Sequence, residues 1–245
     1  MVSHQTEETL DILVLAAHPD DAELCCGGTI LKHIALGKKV GILDFTKGEL
    51  GTRGNAEIRL QESEKATQLM GISFRGNLEL EDGFFENNAE NQKKIIRFIR
   101  KFRPEIILAN AVYDRHPDHT RASELARESC FYSGLRKIIT YWDDINQEAW
   151  RPRAVYHYVQ DRYLSPNLVV DITEFMDKKL EVLNAFSSQF YNPASKEPLS
   201  YISSPDFMDS MIARAREVGK PIGAKFGESF VMDRFPGVHN LFDLL

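Results

Sequence analysis

The chain is short of several features that define whole classes of protein. Its 245 residues hold only three cysteines, two of them adjacent at Cys25 and Cys26. That excludes a disulfide framework, and the CxxC pairs of a structural zinc site are missing, so these residues read as small buried apolar groups. No apolar run approaches the ~20 residues that span a bilayer, and Met1 to Thr9 has neither the basic start nor the apolar stretch of an export leader. A cytoplasmic protein with no membrane partner is expected. Positive charge is also in deficit. A net charge of −6 and a pI near 5.7 leave no clustered basic surface for nucleic acid. No Ser/Gly linker, repeat or low-complexity tract marks a boundary, so residues 1–245 are expected to form one domain.

What the chain does have is 43% hydrophobic residues, enough for a sizeable core, arranged in a β-α-β-α rhythm. Ile12 to Ala17 is a continuous apolar run, the mark of a strand buried on both faces. A helix is expected over Ala22 to Leu36, closed by Gly37, and a strand over Lys39 to Phe45. The glycine-rich loop Thr46 to Gly54 then leads to a helix from Ala56 to Met70. A strand over Ile72 to Arg75, a helix bearing Ile95, Ile96, Ile99 and Phe102 on one face, and a strand over Ile106 to Ala109 follow. After the loop Asn110 to Asp118 a helix runs from His119 to about Cys130. Later strands are expected at Ala154 to Val159 and Leu168 to Asp171. Thr173 is placed as the cap of a helix reaching Phe186, Ser187 to Ser203 as loop, and Ser204-Pro205-Asp206 as the start of a helix that Gly219 stops. The predicted fold is α/β and Rossmann-like, a mainly parallel sheet with helices on both faces.

Chemistry concentrates at two strand ends. The first strand stops at His18-Pro19-Asp20-Asp21 and the fourth leads into Arg115-His116-Pro117-Asp118-His119. In open α/β sheets ligands bind in the crevice at that edge. A catalytic zinc takes three protein ligands and leaves a position open; His18, Asp21 and His119 would supply them, although spacing alone does not choose between His116 and His119. Asp20, beside a ligand yet free of the metal, can take a proton from the attacking water. His116, if paired with Asp118 and so protonated, could donate to the oxyanion or the leaving group. Arg53, Arg59 and Arg115 sit in or beside these loops, where guanidinium groups could hold a carboxylate or sugar hydroxyls. His4, His33, His157 and His239 read as surface or satisfied core residues.

AHPDDAELCCGG and DRHPDH resemble the two signature motifs of the PIG-L or LmbE-like zinc-dependent N-acetylglucosamine deacetylases. GELGTRGNAEIR and SSPDFMDSMIARAREVG resemble the branch that removes acetate from N-acetylglucosaminyl-malate on the way to bacillithiol. The resemblance implies a Rossmann-like sheet and zinc, or another divalent ion such as Fe2+, on His18, Asp21 and His119. It further implies Asp20 as general base, a His116 and Asp118 pair at the oxyanion, and Arg59 and Arg115 near a small N-acetylated sugar conjugate. Homo-oligomers, often hexamers, are implied as well. The alternatives are a deacetylase of another N-acylated sugar, such as a thiol S-conjugate or an envelope glycan precursor, and a non-catalytic zinc-binding protein. A dinucleotide-binding role conflicts with the missing GxGxxG and with the charge at the first loop.

Overall fold

The computed structural model describes residues 9–243, so His4 and all of the Met1 to Thr9 segment except Thr9 lie outside the described residues. Strand β1 (Ile12–Ala16) is followed by α1 (Asp21–Ala35), β2 (Val40–Asp44), α2 (Ala56–Met70), β3 (Phe74–Asn77), α3 (Ala89–Phe102), β4 (Ile106–Ala109) and α4 (Pro117–Ser133). A small hairpin, β5 (Tyr141–Trp142) and β6 (Ile145–Asn146), precedes β7 (Ala154–Tyr158), β8 (Leu168–Asp171), α5 (Met176–Leu183), α6 (Phe207–Gly219) and β9 (Gly227–Val231). Among the described residues no helix is long and apolar enough to cross a membrane.

Layering follows from the alternation along β1. Ile12, Val14 and Ala16 join one core with Cys26 and Ile30 of α1 and Val182 and Leu183 of α5. Leu13 and Leu15 join a second with Ile95 and Ile99 of α3 and Leu125 and Ala126 of α4. Successive strand side chains point to opposite faces, so helices cover both. Seven strands form the sheet in the order β3-β2-β1-β4-β7-β9-β8. Every pairing up to β4 with β7 is parallel, while β9 runs antiparallel to both β7 and β8. The chain winds outward from β1 through β2 to β3 and then returns to place β4 on the other side of β1. That reversal opens a crevice between the loops that follow β1 and β4, where the two motifs lie.

Several local expectations shift for identifiable reasons. The third strand starts at Phe74 because Gly71, at φ 75°, caps α2 and the Ile72 N–H still turns back to Thr67. Thr173 caps no helix; its hydroxyl accepts the N–H groups of Lys225 and Phe226, and a single 3-10 turn leads into α5 instead. That helix ends early, since Phe186 N–H bonds Leu183 in a tighter turn. Helix α4 starts two residues sooner than expected, with Pro117 in its first turn, and runs on to Ser133. Neither β9 nor the β5-β6 hairpin is anticipated from the sequence.

Candidate active site

The loop after β1 is held in a strained form. Asp20, the residue before α1, has φ 134° and ψ −24°, a region costly for any side chain and found where surrounding structure enforces it. Arg59 of α2 does the enforcing. Its Nη2 donates to the Pro19 carbonyl at 2.7 Å and to Asp20 Oδ2 at 2.9 Å, and its Nη1 reaches the Gly48 carbonyl. Gly48, at φ 65°, leaves the space that this guanidinium fills, since a Cβ there would collide with it. Burial pushes the Asp20 carboxyl up to about 7, with Arg59 opposing and Asp21 reinforcing the rise.

Asp21 opens α1 and both of its carboxylate oxygens are hydrogen-bonded. Its Oδ2 accepts the His18 N–H and the Asn110 side-chain amide, both at 3.0 Å, and its Oδ1 accepts Gln160 Nε2 at 3.1 Å. Burial works against ionisation, but His119 and His18 hold Asp21 well below the usual carboxylate range. His119 Nε2 lies 3.2 Å from Asp21 Oδ1 and His18 Nδ1 lies 3.6 Å from Oδ2. The far nitrogen of each ring rests on another carboxylate: His119 Nδ1 on Asp114 at 2.6 Å, and His18 Nε2 on Asp82 at 3.0 Å and Asp118 at 3.2 Å. Burial opposes protonation of His119, yet Asp21 and Asp114 raise it to about 9.

These residues fit a divalent ion. In metal sites a ligating imidazole commonly leans its other N–H on a carboxylate, as His18 and His119 both do. The separations from Asp21 bracket the roughly 3.3 Å that tetrahedral bonds of about 2.0–2.1 Å impose between donors. Protons that the two rings now share with Asp21 are what an ion would displace. The donor atoms of His18, His116 and His119 also lie within 4.8 Å of one another, as do those of His18, Asp82 and Asp118. Asp21 belongs to neither of these tighter groups; its carboxylate oxygens lie 3.6 Å from His18 Nδ1 and 3.2 Å from His119 Nε2.

The side-chain pairing expected of His116 with Asp118 does not form. His116 precedes α4, and its Nδ1 accepts the backbone N–H of Asp118 at 3.2 Å. The Asp118 carboxylate turns instead to Arg121 Nη1 at 2.7 Å, Gly83 N–H at 2.8 Å and His18. Burial and repulsion from His18 and His119 lower His116 to about 4, so the ring is neutral, with its proton on Nε2. Of the three arginines, Arg59 is committed beneath Asp20. Arg53 is 3% exposed and directs Nη1 to the Phe190 carbonyl. Arg115 is open, its guanidinium 4.4 Å from the Tyr201 ring centre and its Nε 3.5 Å from Asp161. All nine expected site residues except Asp118 line one cavity of about 610 Å³, whose mouth also includes Tyr201 and Arg214.

Asp82, Asp114, Asn110 and Gln160 escaped the sequence reading. Asp114 could have been found, since it stands two residues before His116 in the same loop. Asp82 follows β3 and Gln160 follows β7, so both sit at strand ends of the same edge, but no motif distinguishes them. Among the other histidines, His33 bonds the Thr29 carbonyl, and His157 is buried against Ser123 and Asn110. Cys26 and Cys130 are buried, whereas Cys25 is half-buried and faces the cavity.

A family model described as PIG-L, GlcNAc-PI de-N-acetylase, matches residues 13–130. Diacetylchitobiose deacetylase of Thermococcus kodakarensis is 31% identical over 189 residues, 73% of this chain and 70% of that protein. The chain belongs to the PIG-L family. It is therefore an N-deacetylase, a hydrolase of amide bonds, and both strand-end loops lie within the matched residues. A probable N-acetyl-alpha-D-glucosaminyl L-malate deacetylase of Bacillus anthracis is 26% identical over 73% of this chain and 81% of that protein. The crystal structure of the conserved protein TT1542 from Thermus thermophilus superposes with a TM-score of 0.84 at 34% identity, covering 96% of this chain and 99% of that one.

Proposed function

We propose that this PIG-L protein is a zinc enzyme that removes the acetyl group from N-acetylglucosaminyl-malate, the deacetylation step of bacillithiol synthesis. The observation that carries the hydrolytic reading is Asp20, fixed by Arg59 beside a donor set of His18, Asp21 and His119. Zinc bound to these three supplies Lewis acidity, activating water and polarising the amide carbonyl. Asp20 takes the proton of the attacking water and returns it to the leaving amine, a role suited to a carboxyl whose pKa lies near neutrality. His116 serves as a neutral donor to the oxyanion through Nε2–H, because its other nitrogen is occupied by the α4 cap. Asp118 orients His18 rather than His116.

The malate assignment is supported by Arg115, an open guanidinium at the cavity mouth suited to a carboxylate. A second reading, deacetylation of an N-acetylated disaccharide, is favoured by the higher identity to the Thermococcus enzyme. In either case the partner is a small sugar conjugate, and the working form is a cytoplasmic homo-oligomer. Acetate release should be measured on N-acetylglucosaminyl-malate, diacetylchitobiose and N-acetylglucosamine, before and after metal stripping and zinc repletion. Fastest turnover of the malate conjugate, with activity lost on stripping and regained with zinc, is the expected result. Preference for the disaccharide would replace the substrate, and full activity after stripping would remove the metal.

A further inference from the structure

The first motif ends in Cys26-Gly27-Gly28, and nothing in the chemistry above uses those residues. They lie where α1 breaks: Cys26 has φ −138° and ψ 19°, so the element is two helical segments meeting at a kink. In an unbroken helix the N–H groups of Gly28 and Thr29 would belong to Leu24 and Cys25. Here they donate to Glu228 of β9, at 2.9 Å to Oε1 and 2.6 Å to Oε2. Lys179 of α5 closes the arrangement with Nζ 2.6 Å from Glu228 Oε1. Both charged residues are buried, Glu228 at 4% and Lys179 at 3% exposure. Gly28 is required by space, because a Cβ would come within 2.8 Å of Ile172.

We infer that the Glu228–Lys179 pair is a positioning device for Asp21, locking the kink that aims the first turn of α1 at His18 and His119. The carboxylate caps the second segment of the helix as an anion at its N-terminus, and the ammonium makes that buried charge tolerable. The segment on the near side of the kink is barely longer than one turn, and it carries Asp21 at its start. Its tilt is therefore set at one end by the Asp20 loop and at the other by the clamp. Without the anion, the freed N–H groups of Gly28 and Thr29 would recover Leu24 and Cys25 as partners, straightening α1 and drawing Asp21 off its line to the histidines. Lys179 and Glu228 also line the inner wall of the cavity, but the role inferred for the pair is exerted through the kink of α1. The inference rests on Asp21 being a metal donor.

The test measures zinc affinity by chelator competition, with thermal melts of the metal-free forms as the fold control. Glu228→Gln and Lys179→Met each break a buried pair, so the decisive variant is the double Lys179→Met/Glu228→Gln, which removes both charges together and spares the fold an unpaired ion. The expected result is a melting temperature close to the parent and zinc binding on the order of tenfold weaker or more, the size of effect seen when a group orienting a metal ligand is lost. Parental zinc affinity in the folded double variant, with Asp21→Ala impaired, would overturn the clamp alone. Parental affinity in Asp21→Ala would overturn the assignment of Asp21 and the clamp with it. Kinetics on the zinc-saturated double variant give a second readout: a fall in kcat with little change in KM supports positioning, and unaltered kcat opposes it.

Discussion

The sheet has two halves that do different work. From β3 to β4 it is wholly parallel, and its strand-end loops carry His18, Asp20, Asp21, His116 and His119. From β7 to β8 it turns antiparallel at β9, and this side supplies Gln160 to Asp21, the Glu228 cap to α1, and Asp161 and Tyr201 to the cavity mouth. The family model ends at residue 130, within α4, so the shared pattern covers the half that carries the two His-Pro loops. On the proposed function, the difference places reaction and substrate choice on separate parts of the chain, joined where Arg115 leans across to Tyr201. Changes in the first half should then affect every substrate alike, and changes at the join should affect only the conjugate.

The largest effect belongs to Asp20. Asp20→Asn keeps the shape and removes the basicity, so kcat should fall by roughly 10² to 10⁴ on malate conjugate and plain sugar equally, with zinc per subunit unchanged. Near-normal turnover, or zinc lost along with activity, would show that the base lies elsewhere. Next is Asp114, whose contact with His119 fixes that ring. Asp114→Ala should weaken zinc binding by about 10- to 100-fold, read by metal titration. His119→Ala should empty the site while His116→Ala keeps its zinc; the reverse pattern would exchange the two histidines. Arg115→Ala tests the join. Losing a charge-assisted contact of about 2 kcal/mol should cost roughly thirtyfold in kcat/KM on N-acetylglucosaminyl-malate and far less on N-acetylglucosamine. Equal losses on both would dissolve the distinction between the halves. The smallest effect is at Tyr201, where removing an exposed cation–π contact of about 0.5–1 kcal/mol should reduce the same ratio by about two- to fivefold, and no change at all would leave Arg115 oriented by Asp161 alone.

The same division governs how far the sequence could be read. Apolar runs buried on both faces announce β1, β2 and β4, and the His-Pro pairs that follow β1 and β4 locate the chemistry. Strand β9 has no such signature, because GESFV places a buried glutamate at its second residue, and only the distant lysine in α5 makes that charge acceptable. The partner of Asp118 was misassigned for a related reason. Proximity in sequence favours His116, yet the start of α4 turns that imidazole onto the backbone and leaves the carboxylate facing His18 from the first loop. Contacts between residues separated by about a hundred positions leave no local pattern. The residues of the two motif loops were legible, and the contacts that hold them were not.

Asp20 brings a conflict between two kinds of selection. A backbone at φ 134° is worth on the order of 1–3 kcal/mol of strain, and glycine at that position would release it. The same change would strip Arg59 of the carboxylate it meets at 2.9 Å and leave a buried charge unpaired, so Asp20→Gly exchanges one instability for another. On the proposed mechanism, selection on the product acts on the carboxylate itself, while selection for ruggedness acts on the strained backbone beneath it.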